Sequence, residues 1–168
     1  MREAPAARDL VRAGAVFALA AAASAVLAAP PAARTHSYLR IDGVLGASVD
    51  PAHLGWFDIA SWTPLPPTPD GRFAARIRIV GAPPQDLAAA VAGHRKLHEA
   101  LLQDVQGASG SLVRNVSFWQ FEIAGLESGK APVQSYTVTL RAAHLVCDDY
   151  GRPPPDGGPC AVLKKAPP

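Results

Sequence analysis

The chain has 168 residues and a formal net charge of +2, from 16 basic and 14 acidic side chains. This length suits one domain with one hydrophobic core. A charge balance so close to neutral argues against nucleic acids and anionic membrane surfaces as partners, because both require clustered lysine and arginine.

The amino-terminal residues have the pattern of a cleavable export signal. Arg2, Arg8 and Arg12 form a basic leader, residues 13–27 are small and apolar, and residues 26–28 form a small-residue cleavage pattern. A retained membrane anchor is the alternative, but an apolar run of ~15 residues falls short of the ~20 that a bilayer span needs. Cleavage removes three arginines and two acids, which lowers the formal charge from +2 to +1. We therefore predict a secreted or periplasmic protein that keeps no stable membrane anchor after cleavage.

Beyond the leader, hydrophobic periodicity predicts a mostly antiparallel β domain. The clearest strand contains Ala75, Ile77 and Ile79, which alternate with arginines and indicate one buried and one solvated face. The short stretch between the last two strands predicts a hairpin. The predicted strands cover residues 37–41, 54–62, 73–79, 115–123 and 134–147.

One helix is predicted, between Pro84 and Val105. Pro84 suits a first helical turn, and Leu87, Val91, Leu101 and Val105 recur at spacings that share one helical face. One helix beside a β-sheet usually covers an open edge or end of the sheet.

His94 and His98 fall four residues apart on the same side of this predicted helix, which is the geometry that two metal ligands need. However, Arg95 stands where a zinc-peptidase pattern requires a glutamate. We therefore expect both histidines at a partly buried seam of the helix and predict no metal site.

Cys147 and Cys160 enclose a spacer rich in proline and glycine. In an oxidising compartment an even cysteine count favours a structural disulfide between them. Two unpaired thiols are the alternative. A metal site is not expected, because neither a second cysteine pair nor a histidine cluster completes one.

No catalytic or cofactor-binding constellation is present in the sequence. The serines lack a nucleophile-elbow context, and the glycines form no phosphate-binding loop of the Walker or dinucleotide type. Asp148 and Asp149 are neighbours at the end of a predicted strand, so their side chains point in different directions. We therefore expect neither an enzyme nor a resident cofactor.

A series of motif residues spans 25 positions that follow the predicted leader and linker. It comprises Tyr38, Leu39, Arg40, Ile41, Asp42, Gly43, Gly46, Ser48, Asp50, His53, Gly55, Trp56, Ile59, Ser61 and Trp62. This order resembles the opening of the Hcp family, the tube proteins of type VI secretion systems, in which I-D-G is followed by G-x-S-x-D and then H-x-G-W. Residues 136–146 also resemble a later strand of that family, so the resemblance covers residues 36 to about 150.

The resemblance implies a mainly β fold: an antiparallel two-sheet β-barrel, like those of Hcp and phage tail tubes, with one flanking α-helix. It also implies that the protein associates with copies of itself into rings of six, which stack into a tube. Secretion-apparatus proteins or effectors are the further partners that it implies. We expect the loop between the first two strands to make the contacts by which rings stack. The alternative is that it is an ordinary solvent-exposed loop. The loop residues that we single out are Gly43, Gly46, Ser48, Asp50 and His53.

Two features differ from the family pattern. Family members lack a cleaved signal, and their chain continues with strands that complete the barrel, whereas this chain ends in a proline-rich segment. We expect the Cys147–Cys160 loop to replace that missing closure. An exported periplasmic or extracellular binding module, monomeric or a small oligomer, is the alternative function. The predicted segments are a signal peptide at 1–28, a linker at 29–35, the barrel domain at 36–150 and a Pro/Gly-rich tail at 151–168.

Overall fold

Six antiparallel strands close into a barrel in the computed structural model, which describes residues 34–107, 109–129, 134–150 and 158–164. The elements, in chain order, are β1 Thr35–Ile41, β2 Phe57–Leu65, β3 Phe73–Val80, α1 Gln85–Ala92, β4 Lys96–Gln106, β5 Ser111–Ser128, β6 Ser135–Asp149 and α2 Gly158–Lys164. Around the barrel the strands follow the order β1-β2-β3-β6-β5-β4, and pairing of β4 with β1 closes the ring of strands. The predicted signal peptide and most of the predicted linker lie outside the described residues.

The prediction of a mainly β antiparallel barrel is confirmed. Its two-sheet detail is not, because the six strands form one continuous closed sheet. The alternation in β3 places Ala75, Ile77 and Ile79 inside the barrel with no exposed surface, while Arg76 and Arg78 face solvent. Burial of such an apolar face is the main favourable contribution to folding.

The predicted helix is wrong over its second half. The helix α1 ends at Ala92, Gly93 follows it, and His94 has a positive φ of 47° that a helix cannot continue through. From Lys96 onward the chain is strand β4, in which Leu97 and Leu102 are buried. Backbone hydrogen bonding to β1 on one side and β5 on the other outweighs the helical spacing of the apolar residues.

The barrel is closed by β4 and not, as expected, by the disulfide loop. The Cys147–Cys160 loop was expected to replace the strands that, after the last predicted strand, complete the barrel in the Hcp family. With β4 in place, seven residue pairs from Thr35↔Gln106 to Ile41↔Ala100 close the barrel. The disulfide loop therefore does not close the barrel.

The two histidines are not at a helix seam, because the helix does not reach them. His94 is exposed in the turn after α1, and His98 is exposed on β4, where its ring meets the edge of Trp119 at 5.3 Å between centroids. They are not on one helical face, so the expected burial of both is wrong.

The second strand is shifted relative to its prediction. It begins at Phe57 rather than at residue 54 and runs to Leu65, through Pro64, which pairs with Ala75 of β3. A register irregularity between Ile59 and Ser61 interrupts the pairing of β2 with β3.

One helix lies at each end of the barrel. The helix α1 joins the end of β3 to the start of β4 and buries Leu87 and Ala90. The helix α2 is bonded to the last part of β6, and its Cys160 and Leu163 are buried. Because β3 and β6 are antiparallel neighbours, the end of β6 lies at the opposite end of the barrel from the end of β3. The loop between β1 and β2, residues 42–56, starts at the α1 end.

Candidate assembly surface

Internal hydrogen bonds give the β1–β2 loop a defined shape. The Gly46 amide donates to the Gly55 carbonyl at 2.7 Å, and the Ser48 amide donates to the Trp56 carbonyl at 2.8 Å. The Gly55 amide donates back to the Ser48 carbonyl at 3.2 Å. The two halves of the loop therefore run side by side, although neither is a regular strand.

Glycine is required at Gly46 for a steric reason. A Cβ on this residue would overlap the carbonyl of Trp56. Gly43 and Gly55 have positive φ values of 73° and 77°, a conformation that side-chain-bearing residues rarely adopt. Gly46 thus allows the close approach of the two halves of the loop, and Gly43 and Gly55 allow its left-handed turns.

Three aliphatic side chains of the loop project into solvent. Leu45 is 81% exposed, Val49 is 85% exposed and Leu54 is 74% exposed. Leu45 and Leu54 line the same surface cleft, together with Trp56 and with Asp86 of α1. Apolar side chains held exposed on an ordered loop are typical of surfaces that bind another protein.

On its inner side the loop is held by His53, which is 7% exposed. The His53 ring stacks face to face on Tyr38 of β1, with 3.9 Å between centroids and 3° between planes. Its Nδ1 lies 3.0 Å from Asp50 Oδ1, and its Nε2 lies 3.2 Å from Gln103 Oε1 of β4. The edge of the Trp56 ring meets it at 5.0 Å. One buried side chain therefore connects the loop to β1 and β4.

Asp50 organises the turn around His53. Its Oδ1 accepts backbone hydrogen bonds from Ala52 at 2.9 Å and from His53 at 3.1 Å. The side-chain hydrogen bond with His53 is the main reason why the pKa of Asp50 is lowered. Burial raises the pKa of Tyr38, and the negative charges of Asp50 and Asp58 raise it further. Asp58 is also the acceptor of the Ser48 hydroxyl, at 3.0 Å.

The structure brings the five predicted loop residues together, but it separates their roles. Ser48 and His53 are buried, and Gly46 shapes the backbone. The large apolar side chains that the loop exposes are instead Leu45, Val49 and Leu54, which the sequence motif did not point to. Aliphatic residues in a loop between two strands were the available signal.

The predicted disulfide is present between Cys147 of β6 and Cys160 of α2, with the Cα atoms 5.5 Å apart. Each cysteine is 2% exposed. Cys147 lies opposite Val116 of β5, beyond the point where β3 covers β6. The bond therefore holds α2 against the part of β6 that β3 leaves uncovered.

A buried polar cluster lies inside the α2 end of the barrel. Arg114 donates to Asp104 at 2.8 Å and to Asp149 at 2.6 Å. Asp104 also accepts hydrogen bonds from Ser37 and Trp62. Both carboxylates of this cluster are paired with Arg114, so we interpret it as part of the core rather than as a reactive site.

Within the described residues no group of three or more His, Cys, Asp or Glu side chains could hold a metal ion. No helix in this part of the chain is long and apolar enough to cross a membrane.

Solved structures share this architecture. Hcp1 from Salmonella typhimurium matches with a TM-score of 0.62 and 17% identity, over 70% of this chain and 86% of that one. The chain has the fold of Hcp proteins. The secreted protein Hcp3 from Pseudomonas aeruginosa matches with a TM-score of 0.56 and 16% identity, over 71% of this chain and 100% of that one. A further type six secretion system protein matches with a TM-score of 0.62 and 13% identity, over 74% and 88% of the two chains.

The resemblance to Hcp that residues 38–62 indicate is thus confirmed at the level of the fold. No protein-family model matches the sequence, and no curated protein matches it either.

Proposed function

We propose that this chain is a non-enzymatic, Hcp-like structural protein of a type VI secretion system, which assembles with copies of itself into a ring of six and then into a tube. The proposal rests on one observation above all: on an Hcp fold, an ordered loop presents Leu45, Val49 and Leu54 to solvent. Ring stacking through this loop would bury these side chains. A ring that closes on rotation and stacks head to tail requires heterologous contacts of this kind.

Secretion-apparatus proteins or effectors are the further partners that we propose. Nucleic acid is not among them, because a formal charge of only +2 is small beside the basic clusters that nucleic-acid binding requires. We retain the segments at 1–28, 29–35, 36–150 and 151–168 as signal peptide, linker, barrel domain and tail.

The disulfide favours an exported protein, because cysteine pairs form and persist in oxidising compartments. Together with the predicted signal peptide it supports a secreted or periplasmic location. It also supports the second candidate function, an exported periplasmic or extracellular binding module that is a monomer or a small oligomer.

The native mass of the exported protein tests the proposal. The full chain is expressed with its own leader in a bacterial host, and the periplasmic and cytoplasmic fractions are purified in oxidising buffer. Light scattering after size exclusion gives the native mass, and the intact mass shows whether residues 1–28 have been removed.

A cleaved protein with a sixfold native mass supports both the ring and the export signal. A cleaved protein with the native mass of a single subunit supports the binding module and contradicts the ring. A sixfold mass on an uncleaved protein supports the ring and contradicts the export signal.

A further inference from the structure

Both ring nitrogens of His53 face acceptor oxygens. Nδ1 faces the carboxylate of Asp50 at 3.0 Å, and Nε2 faces Oε1 of Gln103 at 3.2 Å. The Gln103 amide nitrogen in turn donates to Asn115 Oδ1 of β5 at 3.2 Å, which leaves the oxygen of Gln103 directed at the histidine. A neutral imidazole has one N–H and an imidazolium has two. Only the protonated ring donates to both neighbours in this arrangement.

Two groups beside the ring are ones that interact favourably with a positive charge. Asp50 is in direct contact, and the Tyr38 ring covers one face of His53, an arrangement in which an aromatic face attracts a cation. The positive charge of Arg40, which lies over Trp56, is balanced by Glu99 at 2.8 Å. The titratable groups beside His53 are Asp50 from the loop and His36 and Tyr38 from β1. Asp58 from β2 acts on Tyr38.

We propose that His53 is a proton-dependent clasp that fixes the β1–β2 loop to β1 and β4, so that pH controls the surface formed by Leu45, Val49 and Leu54. In the clasped state the imidazolium donates to Asp50 and to Gln103. When the ring loses its proton, one of these acceptors loses its donor. The neutral ring regains both contacts only if the Gln103 amide turns over, which reverses its hydrogen bond with Asn115.

The clasp is also expected to weaken at low pH, when Asp50 becomes protonated. Because the pKa of Asp50 is lowered in the folded protein, its charge stabilises the fold above the pKa of the unfolded chain, and this contribution is lost as the pH falls through the lowered value. On the alkaline side the limit is the loss of the second ring N–H, because a neutral imidazole donates to only one of its two acceptors. The loop is therefore expected to be most ordered between these two limits.

Amide hydrogen exchange of the loop tests the clasp. The exchange rates of the Gly46, Ser48 and Gly55 amides, which form the bonds between the two halves of the loop, are measured at about pH 5.5 and pH 8. After correction for intrinsic exchange, we expect protection in the full chain to fall about tenfold at the higher pH, the change expected when one hydrogen bond to a charged group is lost. Nitrogen chemical shifts of labelled histidine report on the His53 ring directly, as imidazolium at the lower pH and as one neutral tautomer at the higher.

Two variants make the test specific. His53→Gln cannot be protonated, so its loop protection is expected to be the same at both pH values. His98→Gln changes an exposed histidine on β4 and is expected to keep the tenfold fall. The clasp is contradicted if the native loop shows equal protection at both pH values, if the fall persists in His53→Gln, or if His53 is neutral throughout.

The effect of the clasp on ring stacking rests on the proposed function. The clasp itself is tested independently, by the hydrogen-exchange protection of the loop amides. A monomer whose loop protection depends on pH supports the clasp and contradicts the ring. A ring of six whose loop protection is constant supports the proposed function and contradicts the clasp.

Discussion

Tyr136 carries a buried hydroxyl that has no hydrogen-bond partner among the described residues. The side chain is 1% exposed and lies opposite Ile79 within the barrel core. Burial of a polar group without a hydrogen bond costs free energy, because its bonds to water are lost on folding. The hydroxyl is thus a local source of instability at the start of β6.

Tyr136→Phe is expected to leave the free energy of unfolding unchanged or to raise it by about 1 kcal/mol, since the ring remains and the unpaired hydroxyl is removed. Urea unfolding monitored by circular dichroism measures this change. Tyr150→Phe, at a side chain that is 60% exposed, is the matched control and should have no effect. A loss of more than about 1 kcal/mol in Tyr136→Phe would show that the hydroxyl has a stabilising partner.

The same residue gives an alkaline pH dependence. Burial raises the pKa of Tyr136 to about 12. The unfolded chain therefore releases this proton at lower pH than the folded protein does, so folding stability falls as the pH rises above the ordinary value of about 10. Because Tyr136→Phe removes this group, its stability should decline less steeply over the same range.

At the scale of elements, the success of sequence reasoning depended on whether one periodicity was present or two. In β3, Ala75, Ile77 and Ile79 alternate with arginines, and no helical pattern competes. Between Pro84 and Val105 a helical spacing spans the whole stretch, while a strand spacing is present only in its second part. Partners distant in sequence decide the outcome there: β1 and β5 pair with β4, and their register cannot be read from the local pattern.

The candidate surface was predictable in the same partial way. The motif around Gly46, Ser48 and His53 indicated the loop and its place between two strands. The exposure of Leu45 and Leu54 depends on how the two halves of the loop approach each other, and this follows from the fold rather than from residue type. Ser48 and His53 consequently proved to be buried supports, and Leu45 and Leu54 proved to be exposed.

The disulfide acts at the scale of the element it holds. The helix α2 has seven residues, which is too short for a helix to be stable alone in water, so it depends on Cys160 and Leu163 for its position. Replacement of Cys147 and Cys160 together by serine is expected to lower the free energy of unfolding by about 3 kcal/mol, the loop-closure contribution expected for a loop of this length. Denaturant unfolding of the two proteins under oxidising conditions measures the difference.

Because each cysteine is only 2% exposed, a dithiol reductant should leave the bond intact in the native protein and cleave it once denaturant unfolds the chain. Thiol labelling with and without denaturant distinguishes these states. Rapid labelling of the native protein after treatment with reductant would show that α2 opens without global unfolding.

At the scale of the whole molecule, the exposed loop and the closed barrel have different physical requirements. The barrel satisfies its own backbone hydrogen bonds by pairing β4 with β1, so it has no need of a second chain to complete its sheet. Leu45 and Leu54 remain as apolar surface that the monomer does not bury. Association driven by these side chains should therefore be separable from folding, and substitutions at the loop should change assembly without changing the barrel.

The double variant Leu45→Asp/Leu54→Asp tests this separation. Both side chains are solvent-exposed in the monomer, so the free energy of unfolding should change by less than about 0.5 kcal/mol. In a stacked tube each buried leucine contributes about 2 kcal/mol, and the proposed sixfold symmetry repeats the loss of this contribution at every subunit of a ring.

For the aspartate variant we expect rings of native mass by light scattering and an absence of tubes by negative-stain electron microscopy. Leu45→Met/Leu54→Met keeps the surface apolar and should form tubes as the native protein does. Tubes formed by the aspartate variant would place the stacking surface elsewhere, and loss of the ring itself would assign the loop to contacts within the ring.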